Sequence, residues 1–292
     1  MDYEITYNSL TLGPGTAYKV RGLEGFWRRA TNLNTPPLPR YHGGIVGASY
    51  EETRPVSLTV AVTATTTAVL SEYVDDLLAA FEPRPDDETA LTVTLPGLDS
   101  RQIMCRPQAA TVQVGPAEWA AKTADVSIRL VASDPVWYST TETSVILTPY
   151  TSADGFTWPA VWPIVWGAGG AGGGFTVTNS GEWETWPTIT ITVGGGGAGT
   201  LSDPIIQNVT AGTELALTEN GGVEITSGQT LIIETHPVDR TIEFSTGASR
   251  RGCLSAGSEW WPLQPGDSEI RFRASGTTTG ATCTITYRSA WI

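Results

Sequence analysis

Ser133-Asp134-Pro135-Val136-Trp137-Tyr138 follows directly on the alternating run Asp125-Val126-Ser127-Ile128-Arg129-Leu130-Val131. The run has the period of a half-buried strand, and a proline cannot donate to a strand ladder, so the strand ends there. Upstream, the sequence reads as one β-rich unit with one helix. Downstream it reads as a second β-rich unit with no helix. The division expected is therefore residues 1–142 and residues 143–292, with Asp134, Pro135 and Trp137 at the junction. The proline ends the strand and the tryptophan packs beside it.

In the first unit, Pro55–Ala64 places Val56, Leu58, Val60 and Val62 on one face and Ser57, Thr59, Ala61 and Thr63 on the other. This is a strand with one buried side. Val69, Leu70, Tyr73, Val74, Leu77, Leu78 and Phe81 then recur at helical spacing, and Pro83 and Pro85 stop the helix. Further strands are expected at Tyr3–Asn8, Thr16–Leu23, Thr89–Leu95, Ala110–Val114 and Thr123–Val131, with a polar, proline-rich loop around Pro36, Pro37 and Pro39. An amphipathic helix of this kind needs a sheet to cover. The first unit is accordingly expected to be a split barrel or α+β sandwich.

The second unit shows strand patterns at Ser144–Leu147, Phe175–Thr178, Thr188–Val193, Glu214–Thr218, Val223–Thr226, Leu231–Glu234, Thr241–Ser245, Glu269–Ala274 and Thr282–Arg288. Asn220-Gly221 is a turn signal that predicts a hairpin between Glu214–Thr218 and Val223–Thr226. Many short strands with glycine turns predict a β-sandwich or jelly roll. The fold class is mainly β.

Charge and composition narrow the function. The net charge is −13, with lysine only at positions 19 and 122. Divided at residue 145, the first part has 11 basic and 17 acidic residues and the second 6 and 13. Neither part offers a basic footprint for nucleic acid. Three cysteines without close spacing do not suggest a disulfide scaffold or a zinc site. Met1-Asp2-Tyr3-Glu4 does not read as a secretory signal. The charge-free stretch Phe156 to Phe175 holds Pro159, Pro163 and six glycines, so it reads as a loop and not a membrane anchor.

Catalytic patterns are weak. Gly167, Gly169 and Gly172 fit G-x-G-x-x-G, but a strand pattern and not a helix follows, so no nucleotide site is expected. His42 and His236 have no ligand-spaced partner, and Asp86-Asp87-Glu88 reads as a solvated loop. No G-x-S-x-G elbow is present. No catalytic residue, cofactor or metal is expected. The eleven tryptophans carry more information. Trp158, Trp162, Trp166, Trp183 and Trp186 crowd the start of the second unit, and Trp260-Trp261 follow later. Core filling, a protein interface and glycan contact are all open for Trp183, Trp186, Trp260 and Trp261.

The order of these parts resembles the distal tail protein family of long-tailed bacteriophages. The resemblance rests on the loop to His42-Gly43-Gly44, on Arg54 leading into Pro55–Ala64, on the helix, and on the exit Ala132-Ser133-Asp134-Pro135-Val136-Trp137-Tyr138. In the second unit it rests on Val177-Thr178-Asn179-Ser180-Gly181-Glu182 followed by Trp186-Pro187-Thr188-Ile189-Thr190-Ile191. Leu231–Thr235 and Leu263–Ile270 extend it. The resemblance implies an N-terminal belt domain that forms a homo-oligomeric ring, usually of six, and a C-terminal galectin-like β-sandwich. It implies a non-enzymatic structural role joining the major tail tube protein to the tail hub protein, with receptor-binding proteins or host glycans as further partners. The expected location is the virion tail tip, after assembly in the host cytoplasm, with no sequence-specific nucleic acid and no membrane insertion. The alternative is a glycan-binding two-domain module acting in host-surface recognition.

Overall fold

The computed structural model describes residues 3–27, 31–32, 34–83, 87–149, 174–194, 199–276 and 280–292. Pro85, Asp86, the charge-free stretch up to Gly173, Trp158, Trp162, Trp166, the three spaced glycines 167, 169 and 172, and Gly195–Gly197 lie outside them. The chain divides into a first unit of residues 1–140 with 291–292, and a second unit of residues 141–290.

The first unit contains β1 (Glu4–Tyr7), β2 (Leu10–Leu12), β3 (Tyr18–Glu24), β4 (Thr31–Asn32), β5 (Tyr50–Glu51), β6 (Arg54–Thr63), α1 (Thr67–Ala80), β7 (Thr89–Thr94), β8 (Arg101–Gln113), α2 (Pro116–Ala120), β9 (Thr123–Ala132) and β10 (Trp137–Ser139). Its sheet runs β2-β1-β7-β8-β9-β6-β3. Strand β8 is long enough to serve different partners along its length. Its residues 101–105 pair with β7 and its residues 106–113 pair with β9, with a register shift between Pro107 and Ala109. A proline lacks the N–H a ladder needs, so the bulge forms where the strand changes partner. With β2 leading directly into β3 at the far end, the sheet is a split barrel. Val56, Leu58, Val60 and Val62 of β6 face its core. The side chain of Thr66 accepts from the Val69 N–H and caps α1, whose Leu70 and Leu77 are buried. Phe81 stacks on Tyr7 with ring centroids 4.5 Å apart.

The second unit contains β11 (Thr143–Leu147), β12 (Phe175–Asn179), β13 (Thr188–Val193), β14 (Thr200–Asn208), β15 (Thr213–Ala216), β16 (Glu224–Thr226), β17 (Thr230–Glu234), β18 (Thr241–Phe244), β19 (Gly266–Ser275) and β20 (Ala281–Tyr287). One sheet runs β11-β20-β13-β17-β18. The other runs β12-β19-β14-β15, with β16 also on β14. All the pairings are antiparallel. The alternating buried residues of the sheets, such as Ile189, Ile191, Leu231, Ile233, Ile270 and Phe272, form one core. This is a β-sandwich.

The expected hairpin at Asn220-Gly221 is corrected. The turn exists, with Asn220 and Gly221 at positive φ, but β15 and β16 do not pair with each other. Both lie along β14, one on each side of its bulge between Ser202 and Ile205. The turn is instead tied elsewhere: Asn220 Nδ2 donates to the Gly252 carbonyl at 2.6 Å.

The last strand, β21 (Ala290–Trp291), pairs with β10, and β10 pairs with β8. The chain thus leaves the first unit along β10 and returns its last residues beside that exit.

Candidate functional site

The junction residues form a self-contained clamp. One carboxylate oxygen of Asp134 accepts the Val136 N–H at 3.1 Å, and the other accepts the Tyr138 O–H at 2.8 Å. Pro135 lies inside this loop with its φ fixed, so few backbone freedoms remain. Burial, reinforced by the Asp134 carboxylate, raises the Tyr138 phenol well above its ordinary pKa, so it remains a donor. Glu88 secures the preceding residue, accepting the Ser133 N–H at 3.1 Å and its hydroxyl at 2.9 Å. Glu88 is therefore a half-buried anchor, whereas the acidic run holding it reads as a solvated loop; its neighbour Asp87 is exposed.

Trp137 is 1% exposed and belongs to the core of the first unit. Its ring lies 4.8 Å from that of Phe26. The Arg101 guanidinium sits 4.3 Å from the Trp291 ring and 5.7 Å from the Phe26 ring. Burying aromatic faces around an arginine is favourable by area and by the ring quadrupole. The last residues of the chain thereby help close the first unit. No pattern in the sequence marks Trp291, because a two-residue strand is too short to show a period.

The first unit also exposes apolar side chains and unpaired sheet edges. Residues 31–32 and 34–51 form an irregular two-stranded arm. β4 pairs with β5, Gly47 N donates to Asn34 O, Ile45 N to Pro36 O and Leu38 N to Gly43 O. Tyr41, Ile45, Val46 and Tyr50 on this arm, and Trp27 at its base, are exposed. Among the described residues, the outer edge of β3 and the outer edge of residues 106–113 of β8 have no strand partner. Val112, Val114 and Trp119 are exposed along or near the β8 edge. A depression of about 320 Å³ lies on this ribbon, lined by Ala109, Thr111, Gln113, Ser127 and Arg129.

In the second unit, Asn179 is a highly connected polar side chain. It is 1% exposed. Its Nδ2 donates to Trp183 O at 2.7 Å and Leu263 O at 3.2 Å, and its Oδ1 accepts from Gly181 N at 3.0 Å and Ala290 N at 3.4 Å. Gly181 has no side chain because a Cβ there would overlap the Ala290 carbonyl. The Asn-Ser-Gly run is thus a cross-link between four segments, a role its sequence did not disclose.

The four tryptophans singled out by sequence separate. Trp261 is 1% exposed and fills the sandwich core, so it cannot serve as a glycan contact. Trp183 is half-buried, and its backbone N–H donates to the Ala290 carbonyl. Trp186 and Trp260 are half-buried and share the Arg240 guanidinium, 5.6 Å from each ring centroid.

The described residues hold no cluster of three or more His, Cys, Asp or Glu side chains able to bind a metal. Cys105, Cys253 and Cys283 are free and buried. Burial first, and then the Glu88 carboxylate, push the Cys105 thiol up to about 12, so it is a poor nucleophile. His42 is exposed, and His236 accepts a backbone N–H through Nδ1. No described helix is long and apolar enough to cross a membrane.

Comparison with known proteins agrees with this architecture. No curated protein sequence matches the chain. The fold is similar to that of the Dit protein of phage SPP1, described as a paradigm of the hub adsorption apparatus in phages infecting Gram-positive bacteria. The TM-score is 0.66 at 14% identity, covering 99% of each chain. A chain of the phage P2 baseplate in its activated conformation with Ca aligns at a TM-score of 0.49 and 11% identity, covering 98% of this chain and 97% of that one. Residues 180–291 match the family model of the siphovirus-type tail component, C-terminal domain. That match covers residues 180–291 alone, and over the whole length the likeness is one of fold.

Proposed function

We propose that the protein is a non-enzymatic structural component of a phage tail tip, and that its first unit assembles copies of the chain into a closed ring of six between tail tube and tail hub. The observation carrying this reading is the exposed arm and the two free sheet edges of the first unit. Free edges and exposed aromatics are a liability in a solitary protein and an asset in an assembling one. The edges of β3 and β8 lie at different places on one unit. Joining one copy's β8 edge to the next copy's β3 edge is a heterologous contact, and such contacts close into rings when the rotation permits. The small side chains Ala109 and Thr111 leave room for a neighbour on the β8–β9 ribbon.

The ring size and the identities of tube and hub partners follow from the family resemblance. The non-enzymatic reading rests on the same resemblance. Negative-stain electron microscopy of the purified chain tests the ring: closed six-fold particles are expected, and only monomers would contradict it. A second reading, glycan recognition by the second unit, is favoured by the half-buried Trp186 and Trp260 beside Arg240.

A further inference from the structure

The six arginines of the second unit fall into two groups. Arg271 pairs with Glu269 at 2.7 Å, Arg273 with Glu214 at 3.3 Å and Arg288 with Glu142 at 3.3 Å. Arg240, Arg250 and Arg251 pair with no carboxylate among the described residues. These three lie on adjoining segments. Arg251 Nη1 donates to the Arg240 carbonyl at 2.9 Å, and the Arg250 N–H donates to Ile242 O, two residues beyond Arg240, at 2.6 Å. In a chain of net charge −13, a cluster of unpaired guanidinium groups is an outlier that solubility does not require.

The surroundings give the cluster a shape. Arg240 lies 5.6 Å from both the Trp186 and the Trp260 ring centroids. Its Nε is shielded from solvent with no acceptor, and no hydrogen bond holds its other guanidinium nitrogens. Stacked arginine keeps its in-plane N–H fork free for a planar or tetrahedral anion. The frame is rigid. Thr185 and Leu263 exchange backbone hydrogen bonds at 3.0 and 2.7 Å, fixing the segments before Trp186 and after Trp260. The buried Thr235 hydroxyl donates to the Pro187 carbonyl at 2.6 Å, holding the β17 end against the Trp186 segment. Arg250 and Arg251 add exposed positive charge on the adjoining segment, with the Arg250 guanidinium 5.1 Å from the Phe244 ring, and Asp239 is an exposed acid near Arg240 in sequence.

We infer that Trp186, Arg240 and Trp260, with Arg250 and Arg251, form a binding site for an anionic saccharide, a sugar bearing a carboxylate or phosphate. The guanidinium fork takes the anion, and the indole surface that Arg240 leaves uncovered takes the sugar ring. The aromatic walls favour a saccharide over an acidic peptide, whose carboxylates sit on flexible aliphatic stems with no ring to stack. This proposal deepens the glycan-recognition reading and is independent of ring assembly.

The test is affinity electrophoresis of the full chain in gels carrying polygalacturonate, with neutral dextran and poly-glutamate as separate arms. The net negative charge of the protein opposes binding to any polyanion, so retardation reports the local site. Retardation by polygalacturonate is expected, weakening as salt rises. Arg240→Ala should weaken it about tenfold. The Arg250→Ala/Arg251→Ala pair, at exposed positions that do not endanger folding, should also weaken it, and ion-paired Arg288→Ala should not. Equal retardation by poly-glutamate would overturn the saccharide assignment in favour of an acidic peptide. Retardation by dextran alone would overturn the anionic site while leaving glycan recognition standing. Retardation in no gel would overturn both, as would polygalacturonate retardation unchanged in both arginine variants overturn the assigned residues.

Discussion

Both units are β structures with dense cores, yet they treat their surfaces differently. Of the twelve large apolar side chains that the described residues leave exposed, ten belong to the first unit and two, Ile146 and Val238, to the second. The first unit also carries the arm and the free edges of β3 and β8. The second unit gathers its unpaired positive charge on neighbouring segments, at Arg240, Arg250 and Arg251. On the proposed function the difference is a division of labour: exposed apolar strands and edges suit joining neighbours, and a charged, aromatic-framed patch suits meeting a ligand.

Substitutions can sharpen or break this contrast. Trp137→Ala removes the largest buried side chain of the first unit and should cost it about 3–5 kcal/mol. Hydrogen exchange read by mass spectrometry should show faster exchange across residues 3–140 and little change in the sandwich. Asn179→Ala should act on the other side of the comparison. It strands two carbonyls and two N–H groups and should cost the second unit about 2–3 kcal/mol, measured by urea denaturation, while ring formation persists. Thr66→Ala removes the α1 cap and should cost about 1 kcal/mol, read from the same kind of denaturation curve. The smallest stability effect belongs to the arm. Tyr41→Ser with Val46→Ser should change unfolding by less than about 0.5 kcal/mol, because both side chains are exposed, yet should reduce assembly seen by light scattering.

Much of the fold was legible where one face alone is buried. The alternation in β6, the stripe of α1 and the run Thr188–Val193 all read correctly, because burial on one side prints a period into the sequence. Two strands were harder for one shared reason. The first half of β8 and all of β14 contain or adjoin Pro107 and Pro204, and a proline argues against a strand; both strands bulge at the proline. The hairpin at Asn220-Gly221 failed because a turn signal is local, whereas the partner of each flanking strand is β14, which that signal cannot see. Of the candidate residues, Asp134 and Trp137 stand at a strand end whose proline is visible. Arg240 was not singled out, because what sets it apart is an ion pair it lacks, and pairing is spatial.

The central claim is that the first unit makes the ring through its free β8 edge. Native mass spectrometry of the full chain beside a Val112→Lys/Val114→Lys variant tests it most directly, since lysine on an edge strand blocks edge-to-edge pairing while leaving the core untouched. The account predicts a six-copy ring for the natural chain and a folded monomer for the variant. A natural chain that is monomeric, or a variant that still closes into the same ring, would contradict it.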